Sequence, residues 1–255
     1  MLFVISPAKS LDLNIKNPPK HTSIPDFLNQ SNELIKILKE FSTEKLSKLM
    51  NISEKLAILN QERYQDFNTP FNSSNSYPAL FVFNGDVYNA IKEEDYNQDQ
   101  LDFAQNNLRI LSGLYGILRP LDLMQPYRLE MGTRLDNKKG NNLYKFWQEI
   151  ITNAFNKELK IKNENIIVNL ASSEYSKAIN LKLLNSKLLN INFLNKKGGD
   201  YKNIGIFAKR ARGLMSDFII QNQINNINDL KSFNRAGYLF DSAKSDANNW
   251  FFLSK

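Results

Sequence analysis

A mixed α/β fold is the class that three features of this 255-residue chain predict. Short apolar runs, LFVI at 2 to 5 and IIVNL at 166 to 170, read as strands buried in a sheet interior. Such runs end in polar loops that lead into helical patterns, as strand–helix units do. Strand–turn–strand signals around Lys196-Lys197-Gly198-Gly199 and between GYLFD and NWFFL add antiparallel pairs, so the sheet should be mixed. No composition break marks a boundary. The expectation is one domain over 1–255, α/β in the mixed α+β sense, with a central sheet, flanking helices and a helical insertion near 26 to 66.

The elements follow in order. Leu2 to Ile5 is the first strand, and Ser6-Pro7-Ala8-Lys9 forces a loop at its C-terminal end. Asp26 is a candidate cap for a helix from about 27 to 40, with Leu34, Ile37, Leu38 and Phe41 at helical spacing. Thr43 should cap a helix over 44 to 50, and Ser53 the next, with Ile52, Leu56 and Leu59 as its seam. Pro78 to Phe83 reads as a buried strand, turned by Asn84-Gly85-Asp86 into a short helix near Val87. Asp99 is the candidate cap of a helix whose apolar face is Leu101, Ala104, Leu108 and Leu111. Residues 108 to 132 fit no single pattern, and 133 to 164 receive no assignment. IIVNL then leads through Ala171-Ser172-Ser173 into a helix carrying Glu174 and Lys177. KLLNINFL and YKNIGIF form a hairpin, a helix spans 208 to 222, and a second hairpin closes the chain.

Composition narrows the chemistry. Apolar residues at 42% and charged residues at 23% are ordinary for a globular protein, and the net charge of +7 favours polyanionic partners. There is no cysteine and one histidine, His21. Thiolate nucleophiles, disulfides, zinc ribbons, cysteine-held iron–sulfur clusters and histidine-rich metal sites within one chain are therefore excluded. No metal site and no cofactor is expected, and any catalysis would rest on carboxylates, Lys, Arg, Tyr or Ser. The four-residue apolar run near the N-terminus reads as a strand, not a signal peptide. No apolar stretch approaches the roughly 18 residues that span a bilayer, so a cytoplasmic protein without a membrane partner is the expectation.

Three junctions, VISPAKS, FNGDVY and VNLASSEYSK, share a strand–loop–helix pattern. Loops beyond the C-terminal ends of parallel strands line the ligand crevice of open α/β sheets. If these strands are parallel, Lys9, Asp86, Ser172, Ser173 and Glu174 share one rim; alternatively Asp86 and the two serines are plain helix caps. The block RILSGLYGILRPLDLMQPYRLEMG, 109 to 132, places Arg119 and Arg128 near Asp122 and Glu130, which suits phosphate binding or internal pairing equally. A second basic concentration comprises Lys196, Lys197 and Lys202, then Lys209, Arg210 and Arg212 within AKRARG. It is a solvated surface or a phosphate-contacting ridge, and Gly213 would let a partner approach.

LMNISEKLAIL, 49 to 59, has the spacing of a helix-hairpin-helix, whose turn amides face a phosphate. Asn51 and Ser53 stand where that pattern has glycines, flanking Ile52, and Lys55 and Ala57 stand where it has lysine and a small residue. An ordinary helical corner is the other reading.

Six blocks together, ISPAKSLD, KLMNISEKLAILN, GDVY, LSGLYGILRPLDLMQPYRLEMG, NLASSEY and AKRARGLMSDFI, resemble the YaaA family of peroxide-stress-resistance proteins. The resemblance implies a DNA-binding protein of the bacterial oxidative-stress response, linked to DNA repair and to limiting iron-driven damage. It further implies a mixed α/β fold with a positive cleft and a helix-hairpin-helix, carried here onto Asn51, Ile52, Ser53 and Lys55. It assigns no catalytic residue.

The expected activity is binding of duplex or branched DNA through its phosphates, without an obligate protein partner. The expected contacts are Asn51, Ile52, Ser53, Lys55, Lys9, Arg119, Arg128, Lys196, Lys197, Lys209, Arg210 and Arg212. The alternative is a metal-dependent enzyme on nucleic acid or nucleotides, with Asp86, Asp122, Glu130 or Glu174 holding Mg²⁺. Direct iron sequestration is disfavoured by an inventory of oxygen ligands and one histidine.

Overall fold

The computed structural model describes residues 1–254 and has the expected mixed α/β class. Its main sheet is built from β1 (Leu2–Ile5), β5 (Leu108–Ser112), β6 (Gly116–Leu118), β8 (Ile166–Asn169), β9 (Lys187–Lys197), β11 (Tyr238–Asp241) and β12 (Asn249–Ser254), with β10 (Asp200–Lys202) paired to β9. The order is β11-β12-β9-β8-β1-β5-β6. The five central strands, β12 to β5, are mutually parallel, and β11, β6 and β10 add antiparallel edges. Two small pairs complete the strands: β2 (Ser10–Leu11) with β4 (Phe83–Asn84), and β3 (Tyr77–Pro78) with β7 (Leu123–Met124). All four residues of β1 are fully buried, as an interior parallel strand covered on both faces requires.

The helices are α1 (Leu28–Lys39), α2 (Thr43–Met50), α3 (Glu54–Asp66), α4 (Ala79–Val82), α5 (Gln98–Asn107), α6 (Leu143–Lys162), α7 (Ser173–Ser176) and α8 (Gly205–Gln221). The longest, α6, lies in the segment left unassigned above. It buries Leu143, Phe146, Trp147, Ile151, Phe155 and Leu159, a helical repeat, and Trp147 Nε1 donates to the Gly113 carbonyl at 2.8 Å. Gly116, at φ +70, lies under the Trp147 ring so closely that any Cβ would collide with it.

Several expectations are corrected. The apolar run 78 to 83 is no continuous strand: Pro78 ends β3, α4 makes one helical turn, and Phe83 begins β4. Ala79 and Leu80 amides bond the Asp122 and Pro120 carbonyls, which draws the run out of the sheet. IGIF at 204 to 207 leads into α8 instead of extending β10. Leu108 and Leu111 belong to β5, because the helix before them stops at Asn107. The caps shift too. Asn97 replaces Asp99 through a reciprocal box with Gln100, Ser42 replaces Thr43, and Phe27 heads α1 with no side-chain cap while Asp26 pairs with Arg119 at 3.4 Å. In α3 the buried positions are Ala57, Asn60 and Tyr64, whereas Leu59 is exposed.

Helix α8 is fixed by two features. A Cβ at Gly213 would lie 2.0 Å from the Val87 carbonyl oxygen, so this glycine lets the helix pack on the 87–90 turn; it faces protein, not a partner. Asp217, buried, accepts from the Lys92 amide at 3.0 Å and the Tyr96 hydroxyl at 2.7 Å and pairs with Arg235. We expect Gly213→Ala to lower stability by about 1–3 kcal/mol, as overpacking does, read as a reduced Tm.

Glu93, beside this network, is pushed up to about 7 by burial, with Glu94 and Asp217 adding to the effect. Between its ordinary 4.5 and about 7 the folded state holds a proton that the unfolded chain releases, so stability falls as pH rises through that window. Glu93→Gln should flatten that slope and raise Tm more at pH 8 than at pH 4.5, as thermal melts across pH would show.

Candidate functional site

Because β1, β5, β8 and β9 are parallel, their C-terminal ends open on one side, and three loops meet there. A cavity of about 270 Å³ lies between Ser6, Lys9 and their neighbours after β1, the 84–88 turn, and Ser172, Glu174 and Tyr175 after β8; Lys209 and Arg212 of α8 close it. The rim expected from the three junctions therefore exists, and α8 completes it. Ser172 stands at the N-cap position of α7 yet makes no capping bond. Its amide instead donates to Ser6 Oγ at 2.9 Å, and Ser6 Oγ in turn donates to Ser172 Oγ at 3.3 Å. The Tyr88 hydroxyl donates to the Ser6 carbonyl at 3.0 Å. Ser6, Tyr88 and Tyr175 were not singled out by sequence reasoning, although all three lie inside its matched blocks.

The 109–132 block divides between the two ends of the sheet. β6 returns antiparallel to β5, with Leu118 opposite Ile110, so Arg119 lies at the end away from the cavity. Its guanidinium pairs with Asp122 at 2.9 Å and donates to the Ile24 carbonyl, while Asp122 also accepts from Ser23 at 2.6 Å. Residues 128–132 cross back to the rim. There Lys9 pairs with Glu130 at 2.8 Å, Arg128 reaches Glu130 at 3.1 Å, and the Gly132 amide donates to Glu174 at 2.9 Å. Of the four carboxylates proposed for a metal, Asp86 and Glu174 line the cavity, Glu130 is engaged by two cations, and Asp122 is at the other end. Among the described residues no group of three or more His, Cys, Asp or Glu side chains is arranged to hold a metal ion.

The 51–53 corner is neighbour to this rim. The Tyr64 hydroxyl donates to the Arg128 carbonyl and lies 3.7 Å from Met50 Sδ, one residue before the turn. Asn51 is left-handed, φ 49 and ψ 58, the conformation that glycine would supply. Its amide and that of Ile52 both donate to the Ser47 carbonyl, and Ser47 Oγ donates to the Ile52 carbonyl at 2.6 Å. Ser53 caps α3 through the Leu56 amide at 3.4 Å. Thus the turn proper is closed on itself, and the open donors are the amides of Ser53, Glu54 and Lys55 in the first turn of α3.

Beyond Asn190, which is level with the end of β8, β9 continues to Lys197, roughly 20 Å at strand rise. β12 accompanies it to Asn195, and among the described residues Lys196 and Lys197 have only β10 paired beside them. Gly198 and Gly199, both at positive φ, make the tip. Lys196, Lys197, Lys202, Lys209 and Arg210 are all exposed. Arg212 points inward: its Nε is shielded from solvent without a hydrogen-bond partner among the described residues, and burial lowers its pKa.

The class is a parallel-centred α/β protein with a polar cavity at its strand ends, lined by Lys9, Lys209 and Arg212 and also by Asp86 and Glu174, the edge at which open α/β sheets receive ligands. The model of the family described as peroxide stress protein YaaA matches residues 1–244. The chain is 48% identical over 252 residues to a UPF0246 protein of Hahella chejuensis, covering 99% of this chain and 98% of that one. It is also 48% identical over 252 residues to UPF0246 proteins from two strains of Aliivibrio fischeri, covering 97% of each. The chain belongs to the peroxide stress protein YaaA family. Among the described residues, no helix is long and apolar enough to cross a membrane.

The corner geometry carries its own test. Asn51→Gly should leave stability unchanged or slightly raised, whereas Asn51→Ala should cost about 1 kcal/mol because alanine tolerates the left-handed region poorly. Equilibrium denaturation of both variants measures the difference.

Proposed function

We propose that this peroxide-stress family protein binds DNA, duplex or branched, holding it by its phosphates without reading sequence. Its contribution under peroxide stress is then protection or repair of DNA, with limitation of iron-driven damage as the downstream effect. The observation that carries this reading is where exposed cations gather. Lys196, Lys197, Lys209 and Arg210 are all exposed and, like most lysines of the chain, have no ion pair among the described residues, whereas Lys9 and Arg128 at the rim are paired with Glu130. These four stand at the same end of the sheet as the cavity, a ridge suited to consecutive phosphates.

The corner at 51–53 supports the reading as a second anchor, in the manner of a helix-hairpin-helix. Three open amides and Lys55 face outward there, next to the Arg128 segment that borders the rim. Arg119 drops out of the footprint, since its guanidinium is taken up by Asp122, Asp26 and Ile24. Lys9 and Arg128 position Glu130 instead of reaching for DNA.

Fluorescence anisotropy of a labelled duplex across salt concentrations tests the proposal. Four phosphate contacts give a log–log slope of about −3.6, and Lys196→Ala with Lys197→Ala should reduce it by about 1.8. Lys55→Ala should weaken binding to unrelated sequences equally. Affinity insensitive to salt would overturn phosphate binding, and an unaltered titration for Lys55→Ala would remove the corner from the footprint.

A further inference from the structure

We propose that the cavity at the ends of β1 and β8 binds a nucleotide by its terminal phosphate monoester, with Arg212, Lys209 and Ser172 as oxyanion partners. This site is separate from the exposed ridge and goes beyond the binding of DNA phosphodiesters. Its central feature is Arg212. The guanidinium lines the cavity with no salt bridge and no side-chain hydrogen bond among the described residues, and its Nε is shielded from solvent. A half-buried cation whose Nε is shielded and unpaired is unfavourable, and an anion entering the cavity supplies the missing partner. Arg128 at the rim and Arg119 at the far end of the sheet already have their carboxylates, and Arg210 faces solvent.

Ser172 supplies the second feature. Its hydroxyl accepts from Ser6 Oγ and caps nothing, so its own hydrogen remains to be donated into the cavity. Lys209, exposed on the turn of α8 before Arg212, adds a charge at the mouth. The cavity, at about 270 Å³, has room for a ligand larger than phosphate. Hydrogen-bond donors on the ligand would suit it further, since the Asp86 and Glu174 carboxylates share the lining and would repel a second anionic group. One phosphate attached to a base and sugar bearing N–H and O–H donors fits both the space and the lining. Such a group is either a free mononucleotide or the 5′-phosphorylated end of a strand.

Calorimetry on the full-length protein with deoxyadenosine 5′-monophosphate, deoxyadenosine and inorganic phosphate separately is the test. The monophosphate should bind saturably, at least about tenfold tighter than either fragment, and Arg212→Gln should weaken it about tenfold or more, the effect of losing a charged hydrogen bond. Ser172→Ala, a surface-loop change, gives a smaller loss in the same direction and stands in if Arg212→Gln unfolds. Oligonucleotides with and without a 5′-phosphate identify the source: a preference for the phosphorylated end assigns the cavity to strand termini, and equal affinity assigns it to the free nucleotide. No saturable heat with the monophosphate and no preference for the phosphorylated end, or equal binding of deoxyadenosine, overturns the proposal. DNA binding that fails its salt test while the monophosphate binds would overturn the ridge and leave the cavity standing.

Discussion

The close approach of the 127–132 segment to Gly113 is the constraint on which the functional end of this molecule depends. A Cβ at residue 113 would fall 2.2 Å from the Leu129 carbonyl oxygen, so no other residue lets the returning chain lie across the end of β5. Buried hydroxyl pairing holds that crossing in register: Ser112 with Tyr127 at 2.6 Å, and Tyr115 with the Gln125 backbone. From this one crossing three contacts radiate. Glu130 fixes Lys9 after β1, the Gly132 amide fixes Glu174 after β8, and the Arg128 carbonyl receives Tyr64 from α3. The strand-end loops and the helical corner are thereby tied to a common reference, although they come from distant parts of the sequence.

What could be read from the sequence follows from which interactions are local. β1, β8, the terminal hairpin, α2 and α3 follow from apolar runs, turn residues and capping side chains within a few positions. The strand expectation at 78–83 fails because a short apolar run buried in a helical turn looks like a buried strand, and only the partners of the Ala79 and Leu80 amides decide it; at 204–207 it fails because apolar residues that are largely exposed in the first turn of α8, Ile206 and Phe207, look like strand residues. α6 is a different case. Its repeat at 143, 146, 147, 151, 155 and 159 was present in the sequence, and its two ends, Asn142 as cap and left-handed Asn163, are conventional signals hidden by the abundance of asparagine.

The rim was legible as a set of three junctions, because strand-end loops of a parallel sheet converge by topology. Its electrostatics were not. Whether Arg119, Arg128 or Arg212 is free for a ligand depends on long-range partners: Asp122 lies three residues from Arg119, but Asp26 and Ile24 lie about a hundred residues away. No helical wheel separates Arg212, which faces inward, from Arg210, which faces solvent two residues earlier. The same limit applies to Gly213, whose role is set by the Val87 carbonyl and not by its basic neighbours in sequence.

The two proposed anion sites differ in how they would respond to their surroundings. Exposed lysines on the β9–β10 tip would act through screened, long-range attraction, so their contribution would fade as salt rises. Arg212 is half-buried with its Nε shielded, and a contact formed there would be less screened by salt than one at the tip. Asp86 and Glu174 share the cavity's lining and would leave room for one anionic group there, whereas the ridge would take several. A single strand end could engage both, its backbone on the ridge and its terminal phosphate in the cavity. α8 is the element that would couple them, because Lys209 and Arg210 sit on its outer turns while Arg212 reaches the cavity, and the Gly213 contact fixes that helix against the 84–90 turn.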